Sequence, residues 1–347
     1  MPPLSRRLLL AGAGAALVSP AAAGVRMQRG ILDAQQRHLS LVALDALTLP
    51  HGAAAALDSW SLLAELLMTH DRAASLTITV GIGASLLTRG PSRAAVPAGL
   101  RALPPFRGDR LDPARSGGDV CLQVCADDPA VVARAVRVLL SDARGSLAAR
   151  WRQDGFVPRS APRATPRNLL GFKDGSGNPP RATAPALIAA RGRGVPGWLR
   201  GGTFLVVRRI AIDLPAWSRV SLARQESIVG RHKRSGAPLG GARERGHVNV
   251  ALLGAHAHVA LARTGYAGAS EPARLLRRGY SFRDEDASGL LFLAFVRDPP
   301  RDYVPIQQRL AASDALLPFV EHRASALFAI PPSQGGRATS FARTLGV

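Results

Sequence analysis

The sequence predicts an α+β protein of two domains, and three observations carry that reading. The chain has 347 residues, which suits two domains of ordinary size. Runs with strand-like alternation are interleaved with helical patterns, without the regular strand-helix-strand rhythm of a parallel sheet. Residues 156–168, rich in proline and arginine, read as a linker between residues 24–155 and residues 169–347. The composition is 47% hydrophobic with a mean hydropathy of +0.07, enough apolar material for a sizeable core. No apolar run beyond the N-terminus approaches the roughly 20 residues of a membrane span.

The elements follow in order. Residues 1–23 read as an export leader. Ser5-Arg6-Arg7-Leu8-Leu9-Leu10 is a twin-arginine pattern, the apolar run 8–18 is too short to span a bilayer, and Ala21-Ala22-Ala23 offers a small-residue cleavage site. In the first domain, residues 38–44, 76–80 and 119–125 alternate like strands. Asp128 caps a helix with Pro129 at its first position, and Val132, Val136 and Leu139 form its apolar stripe. Cys121 and Cys125 lie four residues apart on one strand, about 13 Å, too far for a disulfide.

In the second domain, residues 203–214 read as a long strand and 221–230 as a helix. Gly230, Gly236, Gly240, Gly241 and Gly246 mark a loop. Residues 248–262 are apolar with histidines inserted, and strand spacing would put His256 and His258 on one face. Residues 289–296 read as a buried strand, 303–322 as a helix with Val304, Leu310 and Leu317 among its apolar positions, and 325–330 as a closing strand.

The net charge is +21, and the only lysines are Lys173 and Lys233. The arginines are scattered along the chain and aromatic residues are only 5%, which argues against a nucleic-acid-binding surface. A solvated basic surface instead favours anionic substrates or an anionic envelope surface.

One stretch organises the chain: Asn168-Leu169-Leu170-Gly171-Phe172-Lys173-Asp174-Gly175-Ser176-Gly177-Asn178-Pro179. Glycines flank its single acid, so the backbone can turn tightly and approach a ligand closely. It resembles the Gly-x-x-Asp-Gly signature of the dye-decolorizing (DyP-type) haem peroxidases. Four further segments match that family in order: Ser116-Gly117-Gly118-Asp119-Val120-Cys121, Gly202-Thr203-Phe204-Leu205-Val206-Val207-Arg208-Arg209-Ile210, Leu275-Leu276-Arg277-Arg278-Gly279-Tyr280-Ser281-Phe282 and Gly289-Leu290-Leu291-Phe292-Leu293-Ala294-Phe295. The resemblance covers nearly all of the chain after the leader and is greatest to the exported branch that includes deferrochelatase/peroxidases.

The resemblance implies two ferredoxin-like domains in a dimeric α+β barrel-type arrangement. It implies one haem b per chain, held without covalent attachment, since neither cysteine belongs to a Cys-x-x-Cys-His motif. Hydrogen peroxide would be the oxidant and small organic molecules, such as dyes or phenolics, the one-electron donors. The alternative within the same branch is extraction of iron from haem alongside iron-uptake components. Export by the twin-arginine pathway to the periplasm or beyond follows from the leader, and homo-oligomers are common in the family.

Residue by residue, Asp174 matches the distal acid and Arg277 the distal arginine, which also contacts the haem. Gly175, Ser176 and Gly177 match the haem-contacting backbone, although the family usually has alanine where Gly177 stands. His258 matches the proximal ligand in a His-Val-x-Leu-Ala run, with His247 and His256 as alternatives. Arg263 is placed to meet a propionate, but the family's proline near it is missing, and the loop from Arg231 to Ala255 is shorter than is common. Asp284, Glu285 and Asp286 are candidates for the carboxylate behind the proximal histidine. Trp60, Trp151, Trp198, Trp217 and Tyr280 are candidates to relay electrons from bulky donors.

Overall fold

A computed structural model describes residues 25–49, 51–89, 95–158, 164–263, 275–334 and 341–346. The leader read in residues 1–23 lies outside the described residues, as does part of the 156–168 linker.

The first half contributes β1 (His38–Ala46), α1 (His51–His70), β2 (Thr77–Ile82), β3 (Val120–Ala126), α2 (Pro129–Asp142) and β4 (Leu147–Phe156). Its strands lie in the order β2-β3-β1-β4, every neighbour antiparallel. The second half contributes β5 (Thr203–Ile212), α3 (Leu222–Val229), α4 (His258–Arg263), β6 (Leu275–Arg277), β7 (Tyr280–Arg283), β8 (Ser288–Val296), α5 (Val304–Ser313) and β9 (Val320–Ile330). Here β9, β5 and β8 lie side by side, and β6 and β7 both pair with β8. The register against β8 is the same for β6 and β7, and the Arg278 N–H still donates to the Leu293 carbonyl at 2.9 Å, so they are one strand interrupted at Arg278–Gly279. Each half therefore has the same four-strand ferredoxin-like order.

Two thin seams join the sheets. Ile82 pairs with Ala329 across β2 and β9, and Phe156 pairs with Ser281 across β4 and β7. The pairings close a ring. Strand alternation sends Leu39, Leu41, Cys121, Cys125, Leu205, Val207, Leu293, Phe295 and Phe328 into one buried cluster between the sheets. Both cysteines are free thiols within it. The segment preceding β1 seals part of this interior. Gln28 Nε2 donates to the carbonyls of Val80 and Pro331, both at 2.9 Å, and Ile31 joins the buried cluster.

The opposite face of the first sheet packs Val42, Leu44, Val80 and Leu122 under α1 and α2. Asp128 caps α2 by accepting from the Ala130 N–H at 2.8 Å, with Pro129 at the first position. Trp60 on α1 is fully buried and its indole N–H donates to the Leu139 carbonyl at 2.8 Å, tying the two helices together. The run of alanine and leucine that makes α1 is a strong helix former, a signal that strand-centred reading passed over.

Two expectations in the second half are corrected. The helix expected over residues 303–322 ends at Ser313. Asp314 takes an extended conformation and its side chain accepts from the Leu316 N–H at 2.9 Å, a local turn that competes with helix. Residues 248–262 are not a strand: Val250–Leu252 is a short 3-10 turn and α4 begins at His258.

Candidate active site

The glycine-flanked acid sits in a tight turn. Gly171 and Gly175 have φ of +85° and +109°, conformations that side chains disfavour. The Asp174 N–H donates to the Pro166 carbonyl at 2.8 Å, and Arg167 bridges to Lys173 as a single strand-like pair. Asn178 then fastens the turn to β6. Its side-chain oxygen accepts from the Arg277 N–H at 3.0 Å and its amide donates to the Arg277 carbonyl at 2.8 Å. A side-chain amide here takes the place of a neighbouring strand.

That fastening brings the expected residues together. A β-carbon added at Gly279 would lie 3.2 Å from Asp174 Oδ2, so the carboxylate leans on the strand interruption beside Arg277. A β-carbon added at Gly177 would lie 3.6 Å from one Arg277 nitrogen and 3.8 Å from one Arg263 nitrogen. Asp174, Gly177, Arg263 and Arg277 thus share one locus. The contacts at Gly177 are ordinary ones, so the alanine usual in the family would fit.

Arg231, 7% exposed, adds a third guanidinium. It donates to the carbonyls of Gly236 and Glu244 at 2.7 and 3.0 Å. Burial lowers its pKa to about 10, the charges of Arg263 and Arg277 push the same way, and Glu244 opposes them. Arg263 is likewise lowered by burial and by Arg277. Glu244 does not neutralise the cluster alone, because it is committed elsewhere. It accepts from Lys173 Nζ at 2.5 Å, from Ser176 Oγ at 3.0 Å and from the Thr165 hydroxyl. Burial would raise its pKa, but these hydrogen bonds outweigh it and hold the carboxyl below the usual range. Glu244 therefore pins the Lys173–Ser176 turn from the glycine-rich loop. The excess of cation over anion makes this a locus for an anionic ligand.

His258 is placed separately, as the first residue of α4. Its Nδ1 lies 2.6 Å from Asp314 Oδ2, and the Asp314 side chain is only 6% exposed. A carboxylate on Nδ1 fixes the ring orientation and leaves Nε2 to bind a metal. Asp314 is the partner, not the acids expected from the sequence. Asp284 and Asp286 instead pair with Arg209 at 3.0 and 2.9 Å. His256 and His247 are both exposed, and His256 Nδ1 faces the Ser313 carbonyl at 3.1 Å.

Behind this face lies a buried network. Arg208, 0% exposed, pairs with Asp109, and its Nε lies 3.3 Å from His322 Nδ1. Burial, then the Arg208 charge, lowers the His322 pKa to about 3.

The four tryptophans are structural anchors. Trp60, Trp151, Trp198 and Trp217 each donate the indole N–H to a backbone carbonyl, at 2.8, 2.9, 3.3 and 3.0 Å. Tyr280 is fully buried between the sheets.

The residues present suit a haem: an imidazole whose Nδ1 is held by a carboxylate, guanidinium groups for two propionates, and glycine backbone with no side chain to block a flat ring. Sequence reasoning missed Asn178, Arg231, Glu244 and Asp314. Asn178 and Glu244 act through contacts with distant segments, and Asp314 was hidden inside an expected helix.

Comparison with known proteins agrees with this geometry. The sequence profiles of the Dyp-type peroxidase N-terminal and C-terminal domains match residues 28–157 and 165–335. The chain is 40% identical over 321 residues to a dye-decolorizing peroxidase of Thermobifida fusca (strain YX), covering 82% of this chain and 74% of the relative. It is 34% identical over 259 residues to the deferrochelatase of Escherichia coli (strain K12), covering 68% of this chain and 60% of that protein. Among solved structures, a DyP-type peroxidase from Streptomyces coelicolor superposes with a TM-score of 0.85 at 34% identity, covering 94% of this chain and 96% of that one. Ferric DtpA from Streptomyces lividans superposes with a TM-score of 0.84, also at 34% identity, with 94% and 96% covered. With matched profiles over both halves, the chain belongs to the Dyp-type peroxidase family, whose members are haem-dependent.

Proposed function

We propose that this protein is a haem peroxidase that uses hydrogen peroxide to oxidise small organic donors, such as dyes or phenolics, in one-electron steps. The observation that carries the reading is that Asp174 lies against Gly279, two residues along the strand from Arg277, while Asn178 holds Arg277 with two hydrogen bonds.

One haem b per chain would bind without a covalent link. His258 would hold the iron through Nε2, with Asp314 orienting the ring. Arg263 and Arg231 would meet the propionates, and Gly175, Ser176 and Gly177 would let backbone approach the ring closely. When bound, the haem supplies the electron transfer between peroxide and donor. Asp174 would take a proton from one oxygen of the peroxide and return it to the other as it departs. Arg277 would supply a guanidinium there, which stabilises anionic peroxide and the negative charge that develops on the departing oxygen before it leaves as water. The glycine-rich turn keeps the half-buried carboxylate against the strand.

The twin-arginine pattern at Arg6-Arg7 supports export to the periplasm or beyond. Among the described residues no helix is long and apolar enough to cross a membrane.

An absorption spectrum of protein folded with haem, before and after one equivalent of peroxide, tests the reading. A Soret band that shifts with peroxide and returns on adding a phenolic donor supports it. A Soret band unmoved by peroxide refutes the peroxidase function. A second reading, iron release from haem, is supported by the relatives named deferrochelatase at 34% identity. Appearance of fluorescent metal-free porphyrin from added haem would favour it.

A further inference from the structure

The strand that carries Arg277 has an edge completed by side chains. In an antiparallel strand, alternate residues point both backbone polar groups to the same neighbour. Toward β8, Arg278 donates to Leu293. On the opposite edge, Ser281 pairs with Phe156, the last residue of β4. Beyond it β4 has ended, and two amides take over. Gln35 Nε2 donates to the Gly279 carbonyl at 2.7 Å, and Asn178 holds both backbone groups of Arg277.

Gln35 belongs to a braced turn in the first half of the chain. Asp33 closes it, accepting from the Gly30 N–H at 2.8 Å and from Arg29 Nε at 2.9 Å. The turn is seated against β2 and β3. Thr79 Oγ1 donates to the Arg29 carbonyl at 2.6 Å, and Gly30 has φ +91° where a β-carbon would meet that hydroxyl oxygen at 2.6 Å. Arg278, 5% exposed, reaches back into the same turn. It donates to the Asp33 carbonyl, to the Ala34 carbonyl at 3.4 Å and to Gln36 Oε1 at 3.0 Å. Gln36 is itself anchored to the Ser75 carbonyl at 2.9 Å and Thr77 Oγ1 at 3.0 Å. Gly279 meets this turn through its carbonyl and Asp174 through its α-carbon.

We propose that residues 29–36 are a clamp that sets the position of Arg277 and Asp174, with Gln35 and Arg278 as positioning residues. The half of the chain that supplies none of the predicted site residues thus governs the site. The clamp concerns this chain's own strand, while its effect on turnover rests on the peroxidase reading above.

The test compares Gln35→Leu, Arg278→Met and Arg278→Lys with the parent. Gln35→Leu fills a similar volume but cannot donate. In haem-loaded protein, Gln35→Leu is expected to lower kcat/KM for peroxide by about tenfold, the cost of a small misplacement, with KM for the donor and haem per chain unchanged. Arg278→Met is expected to do the same, with Arg278→Lys restoring a large part. In haem-free protein, hydrogen exchange of the Arg277 and Arg278 amides is expected to quicken at least tenfold in Gln35→Leu. Exchange and peroxide kinetics within twofold of the parent, in a folded Gln35→Leu protein, would overturn the clamp. A parent protein without peroxidase activity would overturn the functional reading only, because the exchange measurement still decides the clamp.

Discussion

The two halves of the molecule share one strand order and differ in what covers their outer faces. The first sheet is roofed by α1 and α2, whose apolar stripes bury Leu57, Trp60, Val132, Val136 and Leu139. The second sheet carries half-buried Arg277 and fully buried Arg208 on its matching face. A sheet face closed by aliphatic side chains is stable without help. A face closed by arginine, histidine and carboxylate gives up that stability for a place to bind something charged. The comparison teaches that one strand order can carry a wholly apolar outer face in one half and a face with a charged patch in the other.

The largest break in this asymmetry is removal of the imidazole. His258→Ala should abolish stable haem binding, read as loss of the Soret band relative to protein absorbance. Asp314→Asn should retain the ligand but weaken the site by about 10- to 100-fold, seen in haem titration. Next come the groups proposed to act on peroxide. Asp174→Asn or Arg277→Leu should keep the haem and lower the peroxide reaction by roughly 10²- to 10⁴-fold, measured by stopped flow. The reverse experiment strikes the closed half. Trp60→Ala removes a fully buried aromatic and should cost about 3–5 kcal/mol in denaturant unfolding, with turnover per folded molecule unaffected.

The smallest effect is a pH dependence. Folded His322 stays neutral down to about 3, whereas an ordinary histidine titrates near 6.5. Between those values the unfolded chain binds the extra proton, so stability is full above about 6.5 and falls as pH drops toward 3. The slope from this group is at most about 1.4 kcal/mol per pH unit. His322→Gln should flatten that part of the stability curve, as followed by urea unfolding at stepped pH.

Much of this was legible in the sequence, for reasons that differ by residue. β1, β2, β3 and the Asp128-Pro129 cap follow from alternation and local hydrogen bonding, which need no knowledge of the fold. Asp174, Arg277, Gly177 and Arg263 were singled out by motif, and the structure brings them together. What was hidden is long-range. Asn178 meets Arg277 from 99 residues away, and Glu244 meets Lys173 across 71. Asp314 was lost because apolar periodicity ran past it, while its own carboxylate ended the helix. Strand spacing misled at His256 and His258, where a helix begins instead.

The ring of strands is closed by contacts between early and late parts of the chain. Ile82 meets Ala329, and Val25–Arg26 pairs with Ser333–Gln334. Closure must therefore wait until residues beyond 320 have been made. Until then β2 presents an unpaired edge, and so does β5, whose partner β9 is the last long strand to emerge. Open edges of this kind recruit other chains. The nascent protein is thus at its most adhesive just before β9 emerges, and a ribosome stalled short of residue 320 would release an aggregation seed rather than a smaller working protein.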